Sequence, residues 1–171
     1  EAGTGKTVLN SNIFYELYCQ EEEKDNAEFK CCMVVNHDEQ VKVYSDIAKK
    51  LGITEKYGEV VSKASTFLNR HKDLDSVDVV FIDEAHLLFT QGNQGYSGKN
   101  QLDDIIKRAK VVVIVFDENQ ILRMDQYWEK QMIDRYRNKA IEQQNYITLT
   151  KQLRMQADNE TLAWIDAFTK K

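Results

Sequence analysis

No apolar stretch in this chain reaches the ~18 residues needed to span a bilayer, which excludes a membrane-spanning helix. Cysteine is scarce: Cys19 and the adjacent Cys31 and Cys32 are the only three. An odd count with two neighbours in an apolar run argues against a disulfide frame or a metal site. It points to reduced, buried thiols in a cytosolic protein. No signal peptide stands at the start, so a cytoplasmic location is expected, although a start inside a motif leaves a lost targeting segment open. Positive charge is also short, with 23 Lys and Arg against 28 Asp and Glu, a net −5. Global attraction to nucleic acid is therefore absent, and any such surface has to be a local patch. Proline is missing altogether, against about 5% in average usage, and the sequence offers no physical reason for it. Repeats, low-complexity linkers and internal boundaries are missing too, so the 171 residues read as one domain able to bury a sizeable core.

What is present is a regular alternation. Thr7 to about Gln20 carries apolar residues at helical spacing, and FKCCMVVN (29–36) reads as a buried strand. DEQVKVYSDIAKKL (38–51) fits a helix stopped by Gly52, and 59–70 is a weaker helical candidate. VDVVFID (77–83) and VVVIVFD (111–117) are largely apolar runs ending in acid, as expected of parallel strands covered on both faces. Between them lie a Gly-, Gln- and Asn-rich loop and a short helix, LDDIIKRAK (102–110). Residues 122–144 read as a charged helix, NYITLT (145–150) as a fourth strand and DNETLAWIDAF (158–168) as a final helix. Strands alternating with helices predict an α/β sandwich with a parallel sheet.

Four motifs carry chemistry. GTGKT (3–7) is the closing part of a phosphate-binding loop, GxxxxGK[ST], whose first glycine would precede Glu1. In such a loop Gly3, Thr4 and Gly5 let backbone N–H groups surround phosphates, Lys6 neutralises them, and the Thr7 hydroxyl binds Mg²⁺. Asp83 and Glu84 follow a buried strand, where open α/β sheets form their ligand crevice. Asp83 is the candidate metal acid, and Glu84 the candidate that orients or deprotonates water, which a binding-only site does not need. Asp117 and Gln120 lie past the next strand end, where an amide can sense a γ-phosphate. Arg154, after the fourth predicted strand, reads either as a γ-phosphate contact or as an ordinary surface arginine.

GTGKT, FIDEAH, VFDENQ and QLRM together resemble motifs I to IV of superfamily-1 helicases. More narrowly they resemble the bacterial Schlafen group-3-like DNA/RNA helicase domain family, and the tail TLAWIDAF is similar as well. The resemblance implies a RecA-like P-loop NTPase three-layer sandwich with a mostly parallel sheet, ATP and Mg²⁺ as cofactors, and Arg154 on the γ-phosphate. It also implies single-stranded DNA or RNA as partner, and a second RecA-like lobe elsewhere in the parent chain. On that reading the chain is a partial first lobe that lacks the strand ahead of the loop, and it should not unwind a duplex by itself. In RecA-like folds the missing strand lies between the one ending at Asp117 and the one around Ile147. The acidic motif spells DEAH, a superfamily-2 spelling, and no prolines follow the third motif. Two other classes stand beside the helicase reading: a nucleotide-dependent switch that does not translocate, and a fragment unable to bind nucleotide.

Lesser candidates each have two readings. Asn36, His37 and Asp38 form a helix cap or a single-strand contact. Tyr127 and Trp128, near Arg123, pack a core or stack bases. The loop with Gly92, Gly95, Tyr96 and Gly98 contacts a partner or is disordered. His86 is expected to couple or hydrogen-bond, since no second histidine stands at ligand spacing.

Overall fold

A computed structural model describes residues 4–92, 96–117 and 128–149, together with the helical residues Glu160, Thr161, Trp164 and Ala167. Four strands form the sheet: β1 (Cys31–Val34), β2 (Val61–Ser62), β3 (Val77–Ile82) and β4 (Ala109–Ile114). Their order is β2-β1-β3-β4, and every pairing is parallel. Val34 sits opposite Ile82, and Ile82 opposite Ile114. The carboxyl ends of β1, β3 and β4 are therefore level, and the segments that follow them emerge along one edge of the sheet.

β1 and the second half of β3 are apolar on both faces because both faces are covered there. Residues of period two divide between two cores. Cys31, Met33, Val35 and Phe81 face Phe14 and Tyr18 of α1 (Lys6–Glu23), Tyr44 and Ala48 of α2 (Asp38–Lys50) and Ile53 of α3 (Ile53–Tyr57). Cys32, Val34, Val80 and Ile82 face Ala64 and Phe67 of α4 (Ala64–Arg70) and Leu102 and Ile105 of α5 (Gln101–Ile106). Met132, Ile133 and Tyr136 of α6 (Lys130–Glu142) pack against that second core. The result is the RecA-like three-layer α/β sandwich, with its all-parallel sheet in the middle.

Local chemistry explains the helices. Buried Asn10, Phe14 and Tyr18 recur every four residues along α1, so one stripe meets the sheet. The Phe14 and Phe81 rings meet edge to face, 5.7 Å apart. Asp38 and Glu39 lie in the first turn of α2, Lys49 and Lys50 in its last, each complementing the helix dipole. Gly52, at φ 74°, makes the left-handed step between α2 and α3. The Asn100 side chain caps α5 by accepting from the Asp103 N–H at 3.0 Å. Among the described residues no helix is long and apolar enough to cross a membrane.

Several boundaries differ from expectation. The segment 59–70 is not one helix: β2 takes Val61 and Ser62, and α4 begins only at Ala64. β-branched Val60 and Val61 are buried, and the Met33 and Val35 N–H groups donate to the Val60 and Ser62 carbonyls, so the sheet ladder wins. The helix after the glycine-rich loop stops at Ile106 because Ala109 and Lys110 already belong to β4. Residues 145–149 form no strand, which corrects the fourth-strand expectation. Ile147 is 80% exposed there, and no described strand pairs with it. α6 accounts for 130–142 of the long charged helix; 122–127, and most of the tail, lie outside the described residues.

Candidate functional site

Thr4 is buried, and Gly5 adopts φ 79°, ψ 13° as the residue before α1, a conformation that costs a β-carbon residue about 1 kcal/mol or more. No side chain caps this helix start and no acid lies in its first turn, unlike α2. The positive end of the helix dipole is thus left without a negative counterpart from its own first turn. Lys6 and Thr7 occupy that turn. The Lys6 ammonium lies 3.1 Å from Asp117 Oδ2 and 3.5 Å from Thr4 Oγ1.

Asp83 follows β3 directly and is 1% exposed. Its N–H donates to the Val34 carbonyl, which pins it beside the end of β1. Oδ1 accepts from the Glu84 N–H at 3.1 Å and from the Thr7 hydroxyl at 3.4 Å. Oδ2 accepts from the Tyr44 hydroxyl at 2.9 Å. Glu84 is half-buried, and at φ 51°, ψ 49° it is a non-glycine residue in the left-handed region, leading into a 3-10 turn at Ala85–Leu87. Such strain, of order 1–3 kcal/mol, gathers at functional sites.

Asp117 comes three residues after β4 and is buried. The Val115 N–H donates to Ile82 O and the Ala85 N–H to Val115 O, so the segments leaving β3 and β4 stay side by side. His86 is buried between them, its ring against Phe116. Burial pushes its imidazole below the ordinary range, against the opposing pull of the Asp117 and Asp83 carboxylates. Its Nδ1 has no hydrogen-bond partner among the described residues. Those residues also contain no group of three or more His, Cys, Asp or Glu that could hold a metal ion.

Thr4, Gly5, Lys6, Thr7, Asp83, Glu84 and Asp117 therefore lie on the edge where three strand ends are level. Gly3, Gln120 and Arg154 lie outside the described residues, as do Gly95, Arg123 and Tyr127. Of the lesser candidates, Trp128, Asn36, Asp38 and Tyr96 make contacts within the fold. Trp128 is buried against Phe116 and Tyr136, and its indole N–H donates to the His86 carbonyl at 3.2 Å. Asn36 donates to the Leu87 carbonyl at 2.7 Å and accepts from the Ala64 N–H, bracing two loops. Asp38 pairs with Lys63 at 2.6 Å, while His37 precedes α2 without a side-chain capping bond. Tyr96 donates to Asp104 at 2.5 Å, which ties its loop to α5. Cys31 and Cys32 are buried free thiols as expected, but Cys19 is exposed. Sequence reasoning did not single out Tyr44, which stood only as one residue of the helical run 38–51.

The donor set suits a magnesium-bound phosphate. Mg²⁺ takes hard oxygen ligands, commonly one or two carboxylates with phosphates and water completing the shell. Thr7 Oγ1 and Asp83 Oδ1, 3.4 Å apart, are hard oxygens beside the Lys6 cation and a helix N-terminus.

Comparison with known proteins gives the same frame. The family profile described as Schlafen group 3, DNA/RNA helicase domain, matches residues 1–171. An uncharacterized Saccharomyces cerevisiae protein, YPL245W, is 32% identical over 179 residues, which covers 97% of this chain. That relative is eukaryotic, so the likeness is not confined to bacterial members. The chain spans 39% of the length of this relative. A parallel RecA-like sheet, motif residues gathered on one edge of it and a profile match from end to end lead to one placement: the chain belongs to the Schlafen group 3 DNA/RNA helicase domain family.

Proposed function

We propose that this helicase-like domain is the ATP-binding and hydrolysing first lobe of a superfamily-1-like, nucleic-acid-dependent ATPase. The observation that carries the reading is the convergence of Lys6 and Thr7 on the acids Asp83 and Asp117, which come from three separate segments of the chain. Lys6 and the backbone of Thr4–Thr7 hold the phosphates. Thr7 and Asp83 hold the metal, which when bound supplies charge neutralisation on the phosphate oxygens. Glu84, held beside Asp83 by its strained backbone, orients the attacking water and takes its proton. Asp117 keeps the Lys6 ammonium at the mouth of the loop. Gln120 as γ-phosphate sensor and Arg154 as transition-state cation complete the assignment. Single-stranded DNA or RNA as partner, a second lobe, and a domain boundary that makes 1–171 one lobe belong to the same proposal.

Nucleotide titration of the full-length protein and its Lys6→Ala variant tests the site, and equal affinities would sink it. ATP turnover measured with and without single-stranded DNA or RNA tests the partner. Turnover indifferent to both leaves a nucleotide switch in place of a helicase-like motor.

A further inference from the structure

Asp83 carries more hydrogen bonds than the nucleotide reading alone requires. Its Oδ1 faces Thr7 and the Glu84 N–H, and its Oδ2 faces the Tyr44 hydroxyl at 2.9 Å. Tyr44 is buried and held at both ends. Its carbonyl accepts from the Tyr15 hydroxyl at 3.0 Å, and its own hydroxyl lies 3.3 Å from Ser11 Oγ. Ser11 has a single proton, and its contact with the Thr7 carbonyl, at 2.6 Å, is the shorter of its two. The Tyr44 proton is then left to choose between Ser11 at 3.3 Å and a carboxylate at 2.9 Å, and the charged, nearer acceptor wins.

We propose that Tyr44 is a positioning residue that locks the Asp83 carboxylate by Oδ2, leaving Oδ1, on the Thr7 side, for a divalent cation. The inference rests on the nucleotide-site reading above. A carboxylate that ligates a metal turns about its terminal bond unless its other oxygen is fixed, and loss of such an outer partner commonly lowers metal affinity about 10–100-fold. Tyr44 reaches the site from α2, so the clamp joins the helix after β1 to the acid after β3.

The test uses the full-length protein, a fluorescent ADP analogue and a Mg²⁺ titration, beside a parallel binding curve in EDTA. Tyr44→Phe keeps the ring and is expected to leave EDTA affinity within about twofold while raising the Mg²⁺ half-saturation concentration about tenfold. Tyr57→Phe deletes from the same aromatic cluster a hydroxyl that has no hydrogen-bond partner among the described residues, and is expected to leave the Mg²⁺ requirement unchanged. Matching melting curves check that both variants fold. A Tyr44→Phe requirement equal to wild type overturns the proposal, as does an equal shift in Tyr57→Phe. A wild-type protein whose nucleotide binding ignores Mg²⁺ overturns the nucleotide-site reading itself and this inference with it. A wild type that responds, with a Tyr44→Phe variant that responds identically, overturns the inference alone.

Discussion

Replacing Lys6 with alanine removes the ammonium 3.1 Å from Asp117 Oδ2, and the cost follows from where the carboxylate sits. The Asp117 side chain is 3% exposed and that of Lys6 20%. At an effective dielectric constant of about 20, unit charges at that separation attract by roughly 5 kcal/mol. Desolvation of both groups offsets most of this, leaving a net coupling of about 1–3 kcal/mol. Lys6→Ala is expected to cost about 2–4 kcal/mol, because the carboxylate stays buried after losing its cation. Asp117→Asn made in the Lys6→Ala background should recover part of that loss, since a neutral amide is cheaper to bury. Urea unfolding of the wild type, both single variants and the double variant yields the coupling energy. High salt should change it little, because the pair is largely shielded from solvent. A coupling below about 0.5 kcal/mol would refute the claim that this pair ties the start of α1 to the segment after β4.

Three further outcomes are expected. Phe14→Ala empties a fully buried site against Phe81, Tyr15 and Tyr18, and should cost about 3–5 kcal/mol, read as a lower urea midpoint at unchanged slope; a loss under about 1 kcal/mol contradicts the packing described. Glu84→Gly relieves the left-handed backbone, so the melting temperature should rise, by the equivalent of about 1 kcal/mol, while ATP turnover falls; an unchanged or lowered melting temperature counts against stored strain. Burial pushes the Cys32 thiol up to about 12 and raises Cys31 as well. These are folded-state values above those of the unfolded chain, so the unfolded form ionises first. Their contribution is complete below about pH 8.5 and is lost as pH climbs toward 12, at up to about 1.4 kcal/mol per pH unit for each thiol. Cys32→Ala should flatten the pH dependence of unfolding free energy in that window, and an unaltered slope would refute the assignment.

Much of this fold could be read from its residues because the decisive signals are local. Cys31–Val34 is an uninterrupted apolar run and Val77–Ile82 is apolar but for Asp78, a pattern that strands buried on both faces need. GTGKT and the acids Asp83 and Asp117 marked the candidate site edge in the same local way. What was not legible depends on distant partners. β2 is two residues long, and Val61 belongs to it only because Met33 lies alongside. Tyr146, Ile147 and Leu149 have strand-like composition, yet a strand exists only where another strand accepts it, and the described sheet offers these residues none. The Tyr44–Asp83 and Lys6–Asp117 contacts join residues 39 and 111 positions apart, separations at which no periodicity carries information.

The outer position of β4 has a consequence for how the molecule breathes. Among the described residues β4 hydrogen-bonds to β3 alone, and Val111 at its middle is 53% exposed. Only every second amide of such a strand is engaged, and the rest point away from the sheet. Amide hydrogen exchange along β4 should then alternate, slow at residues bonded to β3 and fast at their neighbours, whereas β1 and β3 exchange slowly throughout. In the full-length protein the fast set becomes a reporter. Its slowing to match the other would register another strand laid along β4, residue by residue.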